Sequence, residues 1–519
     1  MKTYYSFFII LFLLSCAPIV AQTCLPSGIS FNTQQQVDDF SSNYPGCTTV
    51  LGDVSIGGGV SNLIGLSQLN SVEGDLTLNN TSVASLSGLN NLTSIGGTLT
   101  LSNTQIVDCS GLNSLTSIGN ALLVDDNDNL INFVGLNNLS NIGSNLAISV
   151  NPVLSSFTGL NGLTQISGFL TIAHNPSFTN FTGLNNIETI AGPVAIDSND
   201  GLINFEGLNS LTSAGTNQFD RFKVELNNSL INFEGLENLT ELAAFWINGN
   251  NSLQSLQGLN NLTEITVAEF NFWGTPLTNL VGLDNLTTIS GQFGVIGNEN
   301  MIDFTGLQSL TTVGGGLDVI RNEVLQSFQG LTSLNSISNF YMNRNYILPN
   351  LNGLEGVTSL NGGQITVAYE NDNFTSLSGI DNIDHTTIGF IDLTNIPTLS
   401  ECAIRSICDY LNGSNPEFVI YGNAPGCSDV LDILDQCENL SVGDPLVRSI
   451  RLYPNPTDQY FRIESRLPIL NVKMYSILGE LIDSFEYLEQ YSMDQLQDGV
   501  YFVRIETEYG VKTTKVLKK

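Results

Sequence analysis

A glycine followed by an aliphatic residue recurs along this chain at nearly constant spacing. The positions are Gly65, Gly88, Gly111, Gly135, Gly159, Gly183, Gly207, Gly235, Gly258, Gly282, Gly306, Gly330, Gly353 and Gly379, each followed by leucine except the last, which precedes Ile380. The intervals are 23, 23, 24, 24, 24, 24, 28, 23, 24, 24, 24, 23 and 26 residues. A period that steady predicts a stacked solenoid rather than a globular enzyme core. A repeat this short cannot bury its own apolar face, so neighbouring rungs must share one interior.

Other residues stand at fixed offsets from the glycine. Two positions before it, the side chain is always apolar, running from Leu63 through Cys109, Phe133, Phe157, Phe181 and Phe205 to Leu377. Four positions after it runs a second apolar column, Leu69 to Ile383. Both read as core, one layer per rung. Between repeats lie alternating segments such as Leu170-Thr171-Ile172 and Val194-Ala195-Ile196. Their period of two predicts strands with one buried face, stacked in parallel roughly 4.8 Å apart. Eight positions before the glycine stands asparagine, from Asn80 to Asn371, with Gly274 the one exception. Asn and Gly both tolerate positive φ, which predicts a left-handed turn position. An asparagine column also offers hydrogen bonds from rung to rung, as stacked asparagines do in cross-β assemblies.

The succession Gly-Leu-x-x-Leu-x-x-Ile, short strand, Asn-x-x-Leu-x-x-Phe resembles the receptor L-domain, a leucine-rich-repeat-like right-handed β-helix, over roughly residues 24–437. The resemblance implies three-sided rungs and a ligand-binding role on one sheet face. The competing architecture is a leucine-rich horseshoe, but rungs so rich in Asn, Ser, Thr and Gly leave no room for a convex helix. The expected fold is all-β. A parallel β-solenoid spans 65–400 between an N-terminal cap at 22–64 and a cysteine-rich C-terminal cap at 401–437; a linker at 438–446 and a small β-sandwich at 447–519 follow.

Residues 1–21 carry Lys2, an apolar run from Phe7 to Leu14 and then small residues. That is the pattern of a secretory signal peptide, too short to span a bilayer. Cleavage after Ala21 and lipidation at Cys16 both remain open. No other stretch is long and apolar enough for a membrane-spanning helix. Disulfides persist in exported proteins. Cys24 and Cys47 predict one staple at the first cap; Cys402, Cys408, Cys427 and Cys437 at the last allow three pairings. Staples suit the ends of a solenoid, where a terminal rung exposes an open edge. Cys109 occupies the Phe/Leu column and reads as core rather than as a reactive thiol.

Past residue 447 the repeat stops and the charge changes. That segment holds 10 of the 16 basic residues and 10 acidic ones, leaving the rest with 6 − 39 = −33. Short apolar-polar segments separated by turn residues predict a β-sandwich. Tyr453-Pro454-Asn455-Pro456, the Leu478-Gly479 turn, Asp498-Gly499-Val500-Tyr501-Phe502, Gly510 and the basic end Lys515 to Lys519 are similar to the type A C-terminal sorting domain of type IX secretion, found in Bacteroidetes. The resemblance implies handling by the type IX secretion machinery, export across the outer membrane, and residence at the cell surface or beyond.

Strong acidity disfavours nucleic acid and anionic membranes as partners. No cofactor is expected, apart from a candidate calcium site at Asp125, Asp126 and Asp128, where oxygen ligands crowd one turn. A solvated acidic turn is the competing interpretation, since no glycine or closing glutamate follows at calcium-loop spacing. His174 and His385 are the only histidines and lie many rungs apart, with nothing marking a catalytic triad or zinc spacing. Basic residues are scarce for a polysaccharide lyase. The expectation is therefore a non-enzyme that recognises an extracellular protein or glycan, with a carbohydrate-active enzyme or a structural spacer as alternatives. Outward strand positions are small in the early rungs, for example Thr77, Thr100, Ala147, Thr171 and Ala195. In the middle they become Lys223, Trp246, Asn271 and Trp273, with Asp318 and Tyr341 further along. Exposed aromatics beside polar groups suit a protein or sugar contact. The plainer possibility is that both tryptophans pack under the enlarged loop of the 28-residue repeat, which carries Phe219 and Phe222.

Overall fold

In the computed structural model, residues 22–440 and 450–519 are described, apart from 466, 478, 479, 487, 489, 508 and 509. The expected signal peptide, Cys16, Gly479 and residues 441–446 of the expected linker lie outside the described residues.

The repeats form a parallel β-solenoid of about 17 turns. Each typical rung has a four- or five-residue strand such as Leu170–Ala173, a two-residue strand such as Gln165–Ile166, and an irregular third side. Through the middle rungs each long strand pairs in register with the rung before and after it: Leu146 faces Leu170, which faces Val194. The irregular side is bonded rung to rung as well, with Phe157 N donating to Thr182 O at 2.9 Å and Phe181 N to Glu206 O at 2.7 Å. One continuous apolar core runs from Phe31 to Cys437.

The recurring glycine is demanded by that closeness. Gly183 has φ +113°, and a Cβ there would lie 2.1 Å from the backbone of Phe157 in the preceding rung. The chain turns inward at each glycine onto the rung below, so the phenylalanines two positions earlier stack. Phe181 and Phe205 rings lie 5.2 Å apart at 10°, as do Phe205 and Phe233.

The asparagine column resolves into two roles. Asn127, Asn151, Asn175, Asn199, Asn227 and Asn250 are fully buried. Asn175 is typical: its Nδ2 donates to Ile148 O one rung back at 3.2 Å and to Ala173 O at 2.9 Å. The same nitrogen reaches Asn199 Oδ1 on the next rung at 3.2 Å, and that oxygen also accepts Asn175 N at 3.1 Å. The ladder satisfies backbone groups that the turn would otherwise bury unpaired. The left-handed residue here is the one before the asparagine: Asp126, Val150, His174, Ser198 and Leu226 all have φ between 53° and 57°. Only Asn80, Asn103 and Gly274 of the column take positive φ themselves. In the last two of those rungs a threonine carries the ladder instead, with Thr104 Oγ1 donating to Asn127 Oδ1 at 2.6 Å and Thr275 Oγ1 to Asn298 Oδ1 at 2.8 Å. The expected left-handed asparagine is thus corrected for most rungs: the turn is left-handed one residue earlier, and the asparagine is inside.

The caps carry helices where the rungs carry turns: Gln34–Asp38 and Phe40–Asn43 at one end, Arg405–Leu411 and Val430–Leu440 at the other. The glycine period breaks there, but the sheet does not. Ile29–Thr33 pairs with Val54–Gly59, and Phe418–Tyr421 pairs with Ile388–Thr394. The boundaries inferred at 64 and 400 are therefore not boundaries of the sheet, and the last helix enters the stretch expected as linker. The staples are Cys24–Cys47, Cys402–Cys427 and Cys408–Cys437, which settles the open pairing. Cys109 is buried and free; burial, helped by Asp108, pushes its thiol far above the usual range, so it stays protonated and inert.

Residues 450–519 form an antiparallel module. Arg451–Tyr453, Tyr460–Glu464 and Tyr491–Ser492 make one sheet; Leu481–Phe485, Ile469–Tyr475, Gly499–Thr507 and Gly510–Lys518 make the other. Both sheets contribute to one core, including Phe461, Tyr491, Val472, Val503 and Val516.

Candidate functional site

The outer face of the long-strand sheet presents columns that the register defines. One column runs Ala195, Lys223, Trp246, Asn271, Gly294, Asp318, Tyr341. The next runs Asp197, Glu225, Asn248, Trp273, Ile296. Phe270 and Phe272 alternate with these and are buried, as expected. Stacking of adjacent strands therefore brings Trp246, Asn271 and Trp273 together.

They line a cleft of about 210 Å³ with Glu225, Asn248, Gln292 and Ile296. Trp273 is 58% exposed, whereas Trp246 is half-buried. The cause is a polar clamp on Trp246. Its Nε1 donates to Glu269 Oε1 at 3.0 Å, Arg221 Nε reaches the same oxygen at 2.7 Å, and the Arg221 guanidinium sits 4.6 Å from the indole centroid. Burial alone would push the Glu269 carboxyl up, but the hydrogen bond from Arg221, a backbone bond, the guanidinium charge and the Trp246 bond together hold it below the usual carboxylate range. Glu225, at the cleft, is ion-paired with Lys223.

Glycines shape the opening. A Cβ on Gly294 would come within 2.2 Å of Asn271 Oδ1, so the bare glycine leaves room for that amide. Gly297 lies beside the indole edge of Trp273, at distances that permit ordinary contact. Beyond the cleft, Gln292 bonds Asp318, whose carboxyl burial pushes up despite that bond.

The enlarged loop does not cover the tryptophans. Asp220 Oδ2 accepts Thr216 N, Asn217 N and Asn217 Nδ2, folding the loop on itself. Phe219 is 72% exposed at its tip and Phe222 is inside the core. Of the expected site residues, Trp246, Asn271 and Trp273 meet at the cleft and Lys223 neighbours it through Glu225. Tyr341 does not join them. It stands three strands past Asn271, roughly 14 Å along the sheet at the usual spacing, and accepts a bond from Asn343 Nδ2 at 2.8 Å. Arg221, Glu269, Asn248 and Gln292 went unrecognised in the sequence. Asn248 was discoverable, since it precedes Trp273 in its column. Arg221 and Glu269 are 48 residues apart, one opening its strand and the other just before a later one, where the period carries no signal.

The three aspartates of the candidate calcium turn are not brought together. Among the described residues, no group of three or more His, Cys, Asp or Glu side chains is placed to hold a metal ion. Asp125 accepts from Ser149 Oγ at 2.5 Å, Asp126 occupies the left-handed position, and Asn127 between them and Asp128 turns into the core ladder. His174 and His385 lie in different rungs, the first at a left-handed position and the second in a 3-10 turn beside Asp384.

In the antiparallel module, the Pro-Asn-Pro segment is stitched to the last strand. Asn455 Nδ2 donates to Lys515 O at 2.8 Å and its Oδ1 accepts Leu517 N at 2.9 Å. Pro454 and Pro456 both follow cis bonds. Gly499 opens the long strand Gly499–Thr507, where Tyr501 Oη donates to Gln497 O at 2.7 Å. The basic end is used structurally: Lys518 Nζ donates to Asp458 O at 2.7 Å.

No helix among the described residues is long and apolar enough to cross a membrane. No curated protein matches the chain significantly. The family described as the secretion system C-terminal sorting domain matches residues 451–519, the antiparallel module just described. That domain marks the chain for export by type IX secretion to the cell surface or the extracellular space.

Proposed function

We propose that the solenoid is a non-catalytic recognition element, carried outside the cell by its sorting domain, and that it contacts an extracellular protein or glycan through the outer face around Trp246 and Trp273. The observation that carries this reading is the exposed indole of Trp273 set in a cleft on a sheet face whose early rungs carry mostly small residues. A solvent-facing tryptophan in a rigid, stacked sheet loses little conformational entropy on binding, which is what makes aromatic anchors effective. The resemblance of the repeat to receptor L-domains supports the same role. A glycosidase would need a free acid in the cleft and a lyase a free base. Asp318, whose carboxyl burial pushes up, lies outside the lining, bonded to Gln292. Glu269 is instead held as an anion by Arg221, and Glu225 is paired with Lys223, whereas a glycosidase acid needs a raised pKa.

The test is a protein and glycan array probed with the purified exported chain and its Trp246→Ala and Trp273→Ala variants. Ligands whose signal falls in both variants support the site. Equal signals from all three proteins would remove it.

A further inference from the structure

The cleft also says what kind of group it takes, on the premise that this face is a recognition surface. We propose that it is a subsite for one uncharged pyranose unit of a glycan, packed against the Trp273 indole and hydrogen-bonded by Asn248, Asn271 and Gln292.

The first observation is unspent hydrogen-bonding capacity. Some exposed amides elsewhere on the solenoid pair from rung to rung: Asn129 Nδ2 with Gln105 Oε1 at 2.9 Å, Asn228 Nδ2 with Asp200 Oδ1 at 2.8 Å, and Asn251 Nδ2 with Asn228 Oδ1 at 2.8 Å. Others, such as Gln165 and Gln254, stand free singly; the cleft gathers free ones together. Among the described residues, the side chains of Asn248 and Asn271 and the Trp273 Nε1 have no such protein partner, and Gln292 uses only its Nε2, on Asp318. Amides offer donor and acceptor side by side, which matches a sugar hydroxyl that does both. The indole beside them supplies the apolar surface that the C–H face of a pyranose covers.

The second observation is charge. Both cations near the cleft are taken, Arg221 by Glu269 and Lys223 by Glu225, and the chain carries a formal charge of −33. A uronic or sulfated sugar would find no free cation and would meet a repulsive field. The third is size. At about 210 Å³ the cleft falls below the roughly 300–1,000 Å³ of a pocket that engulfs a drug-sized ligand. It holds one ring, with the rest of the chain running over the open sheet. A peptide is a poorer occupant. The strands Ala244–Asn248 and Phe270–Trp273 are paired on both edges, so no backbone is left for strand addition.

The chain has only two tryptophans, and both line the cleft, so intrinsic fluorescence reads the site directly. The full exported chain is titrated with cello-, xylo-, manno- and galacto-hexaoses, with oligogalacturonate as the charged probe, and with a random-sequence peptide library. At least one neutral hexaose is expected to perturb the emission and to bind at least tenfold more weakly to Trp273→Ala. Asn271→Ala is expected to weaken it several-fold while the melting curve stays unchanged, and oligogalacturonate is expected not to bind. Failure of every neutral hexaose, or binding unaffected by both substitutions, overturns the proposal. Peptides that bind in a Trp273-dependent way while no sugar does would overturn the sugar assignment and leave the recognition reading standing. Loss of neither sugar nor protein signals on the array in Trp273→Ala would sink both.

Discussion

The rungs around residues 122–197 and those around 222–296 share an apolar interior and differ on the outside. In the first group the outward columns read Leu123, Ala147, Thr171, Ala195 and Asp125, Ser149, Ala173, Asp197. In the second they read Lys223, Trp246, Asn271, Gly294 and Glu225, Asn248, Trp273, Ile296. Inside, phenylalanine moves between the strand and the arc and varies between one and two per rung. Early rungs place leucine on the strand and phenylalanine on the arc, as in Leu146 with Phe157 and Leu170 with Phe181. Two of the cleft rungs reverse this, Phe245 with Leu256 and Phe270 with Leu280, while Phe222 with Phe233 and Phe293 with Phe304 carry phenylalanine on both sides. Every layer stays apolar and buried, because a void or a polar group there would be transmitted to the rungs above and below. The outer face carries no such constraint, and that is where the chain varies.

The largest expected effects come from breaking the shared interior. Gly183→Val places a branched side chain at φ +113° and against the Phe157 backbone. Strained backbone and overpacking together should cost about 3–5 kcal/mol, read as a loss of stability in urea followed by circular dichroism. A variant as stable as the parent would mean that adjacent rungs can separate at the glycine. Asparagine then provides a matched pair. Asn175→Leu removes the buried acceptor of Asn151 N and Nδ2 and a buried donor to Ile148 O, while Ala173 O keeps Val150 N, and should cost about 3 kcal/mol at 1–3 per orphaned group. Asn271→Leu, the same exchange on the outside, should stay within about 0.5 kcal/mol. Similar losses in the two would erase the distinction between interior and exterior.

Removing the Cys402–Cys427 staple as a double alanine variant should cost about 2–4 kcal/mol by loop-closure entropy over its 25-residue separation. The loss should be confined to the C-terminal rungs, since a solenoid couples mainly nearest neighbours. Hydrogen exchange that rises equally throughout would show the coil to be one cooperative unit.

The glycine, leucine and phenylalanine columns were legible because stacking repeats one constraint at one spacing. The asparagine column was only half legible. Counting back from the glycine aligned Asn80, Asn103 and Gly274 with Asn127, although the turn is one residue shorter in those rungs and Thr81, Thr104 and Thr275 are the buried residues. Two physical roles had been merged by one residue of slack. The tryptophans were legible as outward residues because strand register carries over between rungs. Their clamp was not, because Arg221 belongs to the irregular repeat and Glu269 precedes a strand. Their meeting depends on long side chains crossing two rungs rather than on period.

On the outer face the expected effects are smaller. Trp246→Ala removes the Glu269 hydrogen bond and the cation–π contact with Arg221, worth together about 1–2 kcal/mol. Trp273→Ala should leave stability within about 0.5 kcal/mol. Thermal melts of the two separate clamp from contact: a larger drop for Trp273 would show that the exposed indole is structural.

The smallest effects are electrostatic and of opposite sign within one face. Glu269 has a lowered carboxyl in the folded state, so its contribution is present above the ordinary glutamate value and is lost as the pH falls through the lower folded value. Arg221→Met, which removes its partner, should lower Tm slightly at pH 7 and by less in strong acid, where only the lost contact with Trp246 remains. Asp318 is raised by burial, so the folded state is penalised at neutral pH. That penalty fades as the pH falls through the raised value and is gone below the ordinary aspartate value. Asp318→Asn should therefore raise Tm by about 1 °C at pH 7 and the gain should vanish in acid. Melting curves of the two variants across this range should approach the parent from opposite sides as the pH falls. If both lay on the same side, one of the two carboxylates would have to be held otherwise than by its neighbours Arg221 and Gln292, and the face would not carry the paired charges that exclude an anionic ligand.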